Sequence, residues 1–420
     1  MDSYKLPTFG VIHFDSETDL YNACVGNNGI VDSKQYYDGY IQSAIKLMET
    51  IFNCEEKEGS ECQYWIDTFI YPICFSIRHA IEILLKRISE TIIMISTARK
   101  RIEDLSEIEK NISHHDLKSI WNAMKSIAIS NDERYSFLLE KIEPFILEIG
   151  EVDPTGQTFR YAYSTESVKH LIDVQIIKIT RLYNNTRILQ SDMKNLFDLN
   201  DTIYNEYCLG TFTKNMSRHQ LEKLARDLPK KENWVNELNS GLKNNLMSKY
   251  NISSNELSKS INIISNHYEI SSYIGSEIPL RELDLECLFE FLDLWLRSDH
   301  VASMYNYSAI GKLRRNGLEK FLHNEKVKPS FLNPKFISCL YALYYYAREG
   351  DGSECYIHRQ KEKYKEYISD KTEWKMISNI EHLLYYKTDI LKEIMKSMRI
   401  LNQPSLIKSL SERYAWTNII

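Results

Sequence analysis

Apolar residues recur at three- and four-residue spacing along most of the chain, the period of one face of an α-helix. From about residue 37, Tyr40, Ile41, Ala44, Ile45, Met48, Ile51 and Phe52 fall on such a face and predict a first helix. Residues 53–63 are polar, contain Gly59 and read as a loop. A second helix is predicted near 68–97, uncharged from Thr68 to Ile77. Pro72 is early in it, where a missing backbone N–H is tolerated if the helix begins there. Arg78, Glu82, Lys86 and Glu90 then follow four apart, so their side chains stack along one face. Ile77, Ile81, Leu84, Leu85, Ile88 and Ile92 occupy the others. A helix this apolar belongs at the centre of its domain, and its narrow polar stripe must face water, a partner or a cleft.

His114-His115-Asp116-Leu117 opens a further helix through Trp121 and Met124, with Ser113 or Asp116 available as its cap. Asp153-Pro154-Thr155-Gly156 is a turn signal, from which Phe159-Arg160-Tyr161 leaves in extended form. A helix is predicted from about 165 to 196. The remainder reads as helices over 217–228, 231–249, 254–274, 284–298, 308–323, 334–348, 355–368 and 372–400, plus a short terminal one. Residues 8–14 read as a short extended stretch and 24–30 as a loop. The expectation is an all-α chain: an extended and loop segment over 1–36, a helical bundle over 37–196 and a C-terminal helical domain over 197–420.

Composition narrows this further. A chain of 420 residues exceeds one ordinary core and implies two or three domains. Only 14 Gly and 9 Pro disfavour a turn-rich all-β fold. A net charge of −6 excludes a generally basic nucleic-acid coat but leaves room for a local basic patch. The uncharged stretches 68–77 and 336–347 fall short of the roughly 20 residues that span a bilayer. Met1 to Lys5 leads into no apolar core of signal-peptide length, so a soluble, cytoplasmic chain with no membrane partner is expected. None of the eight cysteines forms a Cys-x-x-Cys pair, and reduced thiols are expected. No Gly-rich phosphate loop, nucleophile elbow or His-Glu-x-x-His occurs, and neither cofactor nor metal is expected.

Three motifs occur in order: Tyr71-Pro72 followed by Arg78-His79-x-x-Glu82-x-x-x-Lys86, then His115-Asp116-Leu117 with Trp121 behind it, then Phe159-Arg160-Tyr161. Together they resemble the signature of a group of bacterial helical proteins similar to the HEPN superfamily. The resemblance covers roughly residues 37–196. It implies a HEPN-like helical bundle and a metal-independent ribonuclease effector of a toxin–antitoxin or phage-defence (antiviral) system, acting on RNA as a homodimer. The usual Arg, four to six residues, then His of those ribonucleases is absent: Arg315 and His323 have seven residues between them.

Cleaving RNA without a metal needs a base for the 2′-OH, an acid for the leaving oxygen and cations for the phosphate. His79 and His115 suit proton transfer, Arg78, Lys86 and Arg160 suit phosphate, and Glu82 can orient a neighbour. Catalytic roles are therefore expected for Arg78, His79, Glu82, His115 and Arg160, converging on one cleft, with Lys86 holding RNA. The same residues also fit an intrahelical ion-pair ladder, a helix cap and an anchor from Arg160 onto Glu82 or Glu90. In that case the chain is a non-catalytic HEPN-like module that binds a protein partner or a nucleotide. A basic stretch with Lys312, Arg314, Arg315, Lys320, His323, Lys326 and Lys328 offers a second RNA-binding candidate or a solvated helix face. Tyr341, Tyr344, Tyr345 and Tyr346 can stack bases, but at this spacing read as helix packing.

Overall fold

The computed structural model describes residues 23–26, 32–54, 60–101, 105–164, 166–280, 282–298, 328–349 and 352–414. Among them it has sixteen α-helices, two 3-10 turns and no strand, so the fold class is all-α. The predicted extended stretch at 8–14 and the predicted helix at 308–323 lie outside the described residues. Two compact units are assembled from interleaved stretches. Of the described residues, the first takes those up to Glu90, then those within Glu107–Met124 and Leu138–Phe197; the second takes those within Thr91–Ser106 and Lys125–Phe137 and those from Asp198 on.

In the first unit, α1 (Ser33–Cys54) buries Tyr37, Ile41, Ala44, Ile45, Met48 and Ile51, the stripe set by its hydrophobic spacing. Helix α2 (Ser60–Ala98) starts well before the predicted position, and Pro72 stands in its interior rather than in its first turn. The ring removes one hydrogen bond there, and Pro72 is exposed, where water can satisfy the freed carbonyl. Before Pro72 no described α2 side chain is fully buried; after it, Ile73, Ile77, Ile81, Leu84, Leu85 and Ile88 are. The stretch Gln63–Ala98 is long and apolar enough to cross a membrane, and 56% of its most apolar window is buried within the protein.

Helix α3 (Leu105–Ile112) precedes α4 (Leu117–Asn131), which Asp116 caps by accepting from the Lys118 amide at 3.0 Å and the Ser119 hydroxyl at 2.5 Å. On α4, buried Trp121 donates its indole N–H to Glu143 of α5 (Tyr135–Val152) at 3.0 Å. The 153–156 turn comes next, with Gly156 at φ +77°. Helix α6 (Ile179–Cys208) begins some fourteen residues later than expected. Residues 166–178 are irregular: Ile172, Val174 and Ile176 alternate with polar neighbours, and β-branched side chains lower helix propensity.

In the second unit, α7 (Arg218–Asp227) carries a full capping box from Ser217 and Gln220. The predicted 231–249 helix is broken into a 3-10 turn, α8 (Trp234–Glu237) and α9 (Ser240–Tyr250), which Asn239 caps. The predicted 254–274 helix ends early: α10 (Ser254–Asn266) stops at His267, and a 3-10 turn, Ile270–Ile274, comes after it. Beyond α11 (Leu285–Leu296), α12 (Pro334–Glu349) packs along α13 (Ser353–Ser369) and α15 (Ile390–Ile400), with α14 (Trp374–Tyr386) and α16 (Pro404–Tyr414) completing the set. The predicted 372–400 helix divides at 387–389, where other helices hold one backbone carbonyl and the Asp389 side chain. Trp295 donates to the Lys387 carbonyl at 2.7 Å, and Tyr344 and Arg348 bind Asp389 at 2.9 and 2.6 Å. Tyr344 and Tyr346 are buried in this core, as helix packing requires.

Candidate functional site

Arg78 is placed by the buried half of α2 and is 2% exposed. A buried guanidinium must be paired, and here each of its three nitrogens donates a hydrogen bond. Nη1 donates to Glu82 Oε2 at 2.7 Å and Nη2 to the His115 carbonyl. Nε faces Asp153, donating to its carbonyl and lying beside its carboxylate, both at 3.2 Å. Asp153 ends α5 and fixes the next turn by accepting from the Thr158 amide at 3.1 Å. Gly156 passes over the guanidinium so closely that a Cβ would meet Cζ and Nη1 at 3.0 Å. Arg78 therefore ties α2, the start of α4 and the end of α5 into one knot.

Glu82, 4% exposed, is the second centre. Its Oε1 receives Lys86 Nζ at 2.9 Å and His115 Nδ1 at 2.7 Å. Burial pushes its carboxyl up, but hydrogen bonds from Lys86, Arg78 and His115 outweigh this and hold it at about 2. An ionised carboxylate only accepts, so His115 Nδ1 carries the proton that is shared with Glu82. The neutral tautomer so defined puts its lone pair on Nε2, and the His115 side chain is 67% exposed. The expected ladder thus runs from Arg78 to Lys86 and ends there; Glu90 is exposed and nearest to Arg87 at 3.8 Å.

His79 takes a different environment. Its ring stacks on Phe75 (5.6 Å, 9°) and meets the Tyr40 ring edge-on at 4.4 Å. Burial is the main cause of a pKa lowered below 6.5, opposed by Glu82 and aided by Arg78 and Lys86. Arg160 is exposed and reaches neither Glu82 nor Glu90. Its guanidinium lies over Phe75 at 5.8 Å and Tyr161 at 5.1 Å, and Nη2 donates to the Tyr161 hydroxyl at 3.1 Å.

The structure thus brings Arg78, Glu82, Lys86 and His115 together, with His79 on the same face of α2. Arg160 joins none of these contacts and lies over Phe75, whose ring stacks on His79. Arg314, Arg315 and Lys320 lie outside the described residues. Sequence reasoning misses Asp153 and Gly156 as members of this site. The signal was charge balance: Arg78 and Lys86 need two carboxylates, and Glu82 is only one. No group of three or more His, Cys, Asp or Glu able to hold a metal occurs among the described residues. Comparison with family models, with curated proteins and with solved structures finds no match to this chain.

Proposed function

We propose that the first unit is a HEPN-like module that cleaves RNA without a metal, with His115 as the proton-transfer residue. The carrying observation is an exposed imidazole held through Nδ1 at 2.7 Å by a buried, ionised carboxylate. That arrangement favours the tautomer with its lone pair on Nε2, on a ring that is mostly exposed, as a base for a ribose 2′-OH requires. Arg78 then acts as a positioning residue, holding Glu82 and the His115 carbonyl rather than touching phosphate. Lys86 supplies positive charge beside His115, and exposed Arg160 can hold a neighbouring phosphate or stack on a base. Membership of a defence or toxin–antitoxin system, and a homodimeric state, extend this reading through the resemblance.

The test is cleavage of single-stranded RNA by the purified chain in the presence of EDTA. His115→Ala should lower the rate by roughly 10²- to 10⁴-fold in a chain that still melts cooperatively, the lost hydrogen bond to buried Glu82 costing about 1–3 kcal/mol of stability. Unchanged cleavage in that variant, or loss of cleavage with EDTA alone, overturns the proposal. A second reading, a non-catalytic HEPN-like binding module, is favoured by the commitment of Arg78 to Glu82 and to the Asp153 and His115 carbonyls. That knot accounts for the meeting of the motif residues without any reaction. It predicts that no variant of His115 changes anything measured on RNA.

A further inference from the structure

A cleft of about 470 Å³ opens in the first unit among α2, the end of α5, the irregular 174–178 stretch and the first turns of α6. None of its lining residues belongs to the Glu82–His115 network, so a ligand held there is independent of the proposed reaction. Its volume lies within the range of small-molecule sites. Its walls are mainly aliphatic, from residues such as Ile77, Ile149, Val174, Ile177 and Leu189, with Phe145 and Phe159 beside them. The α6 side carries Lys178, Arg181, Asn185 and Thr186, and α5 contributes Glu148.

Charged groups of both signs stand at this rim. Among the described residues, Lys178 and Arg181 are exposed and make no ion pair or side-chain hydrogen bond. Glu148, on the α5 wall of the same cleft, is exposed and unpaired among them as well. Two cations against one carboxylate leave the charged lining net positive. The N-terminus of α6, a helix of 30 residues, adds partial positive charge on that side. Ile172 and Ile176 are 62% and 81% exposed on the irregular segment beside the opening.

We propose that this cleft binds a single-chain amphipathic carboxylate, a molecule of the fatty-acid class. Its hydrocarbon chain lies among Ile77, Ile149, Phe159 and Ile177, and its headgroup is held by Lys178 and Arg181. The aliphatic walls suit a chain, because burial of apolar area needs no directional partner. The paired cations suit a carboxylate, which Arg binds in bidentate fashion.

Calorimetric titration of the full chain with dodecanoate, below its micellar concentration, tests this directly. Saturable binding of one molecule per chain is expected. Dodecyltrimethylammonium, which has the chain but the opposite charge, should bind at least about tenfold more weakly. The Lys178→Glu/Arg181→Glu variant should lose at least about tenfold in dodecanoate affinity with an unchanged melting curve, since both side chains are exposed. Asn185→Trp, which fills the cleft, should abolish binding in a chain that still melts cooperatively. Unsaturable uptake, equal affinity for both detergents, or an affinity indifferent to the charge reversal would overturn the proposal. Binding to phosphatidylcholine–phosphatidylglycerol vesicles without binding of free dodecanoate would also overturn it, by identifying a membrane surface instead.

Discussion

Gly156→Ala is the sharpest perturbation of the Arg78 knot, because two separate effects act at one position. With φ at +77°, the residue sits in the left-handed region, where an L-residue loses roughly 1–2 kcal/mol. The smaller chain entropy of the unfolded state returns about 0.4–1 kcal/mol of that. The second effect is contact. The added Cβ would stand 3.0 Å from Cζ and Nη1 and 3.1 Å from Nη2 of Arg78. That guanidinium cannot swing aside, since Glu82, Asp153 and the His115 carbonyl hold it. Overpacking of this kind costs about 1–3 kcal/mol. Gly210 provides the control: φ is +88°, and a Cβ there has nothing within 4 Å. Gly210→Ala should therefore cost about 1 kcal/mol and Gly156→Ala about 2–4 kcal/mol. Hydrogen exchange at the Thr158 amide, which donates to Asp153, reads the local effect; 2 kcal/mol corresponds to roughly 30-fold faster exchange. Equal costs for the two alanines would refute the close packing of this turn on the guanidinium.

Glu82 titrates near 2 in the folded chain against an ordinary 4.5, so the unfolded state binds its proton first on acidification. Its contribution, about 3 kcal/mol, is complete above pH 4.5 and is lost as the pH falls toward 2; Glu82→Gln should flatten urea-unfolding midpoints over that window. His79 has a folded pKa below 6.5, so the folded state resists its protonation and stability falls as the pH drops below that value; His79→Gln should remove that dependence, and NMR titration of the ring should show the lowered midpoint. In the second unit, Arg218 pairs with Glu222, with Glu269 at 2.5 Å and with buried Glu354 at 2.8 Å. Arg218→Met should destabilise that unit by about 3–5 kcal/mol in denaturant titration, whereas a loss under about 1 kcal/mol would show the carboxylates to be satisfied without it.

Helix content is readable wherever one face carries a long apolar stripe, as in α1, α11 and α12. It is misread where tertiary partners decide the outcome. Residues 166–178 contain enough apolar side chains for a helix, yet alternation of Ile172, Val174 and Ile176 suits an extended path. The break at 387–389 depends on Trp295, Tyr344 and Arg348, all at least 41 positions away from the residues they bind. No local pattern contains that information. Pro72 suggests a helix start because an interior proline is costly, but its exposed face makes the missing bond tolerable.

At the site, four-residue spacing places Arg78, Glu82 and Lys86 on one face without saying how deep that face lies. Depth decides their chemistry. Were Arg78 exposed, its pairing with Glu82 would be worth a few tenths of a kcal/mol, and the guanidinium would be free for phosphate. Buried beside Asp153, the same residue becomes a fixed counter-charge whose removal strands two carboxylates. The burial also transmits outward: Glu82 is held ionised and immobile, and so imposes one tautomer on the exposed His115 ring. A mobile surface carboxylate would exchange partners with water and impose none. The chemistry available to His115 thus comes from the desolvation of the residues beneath it rather than from its own position in the sequence.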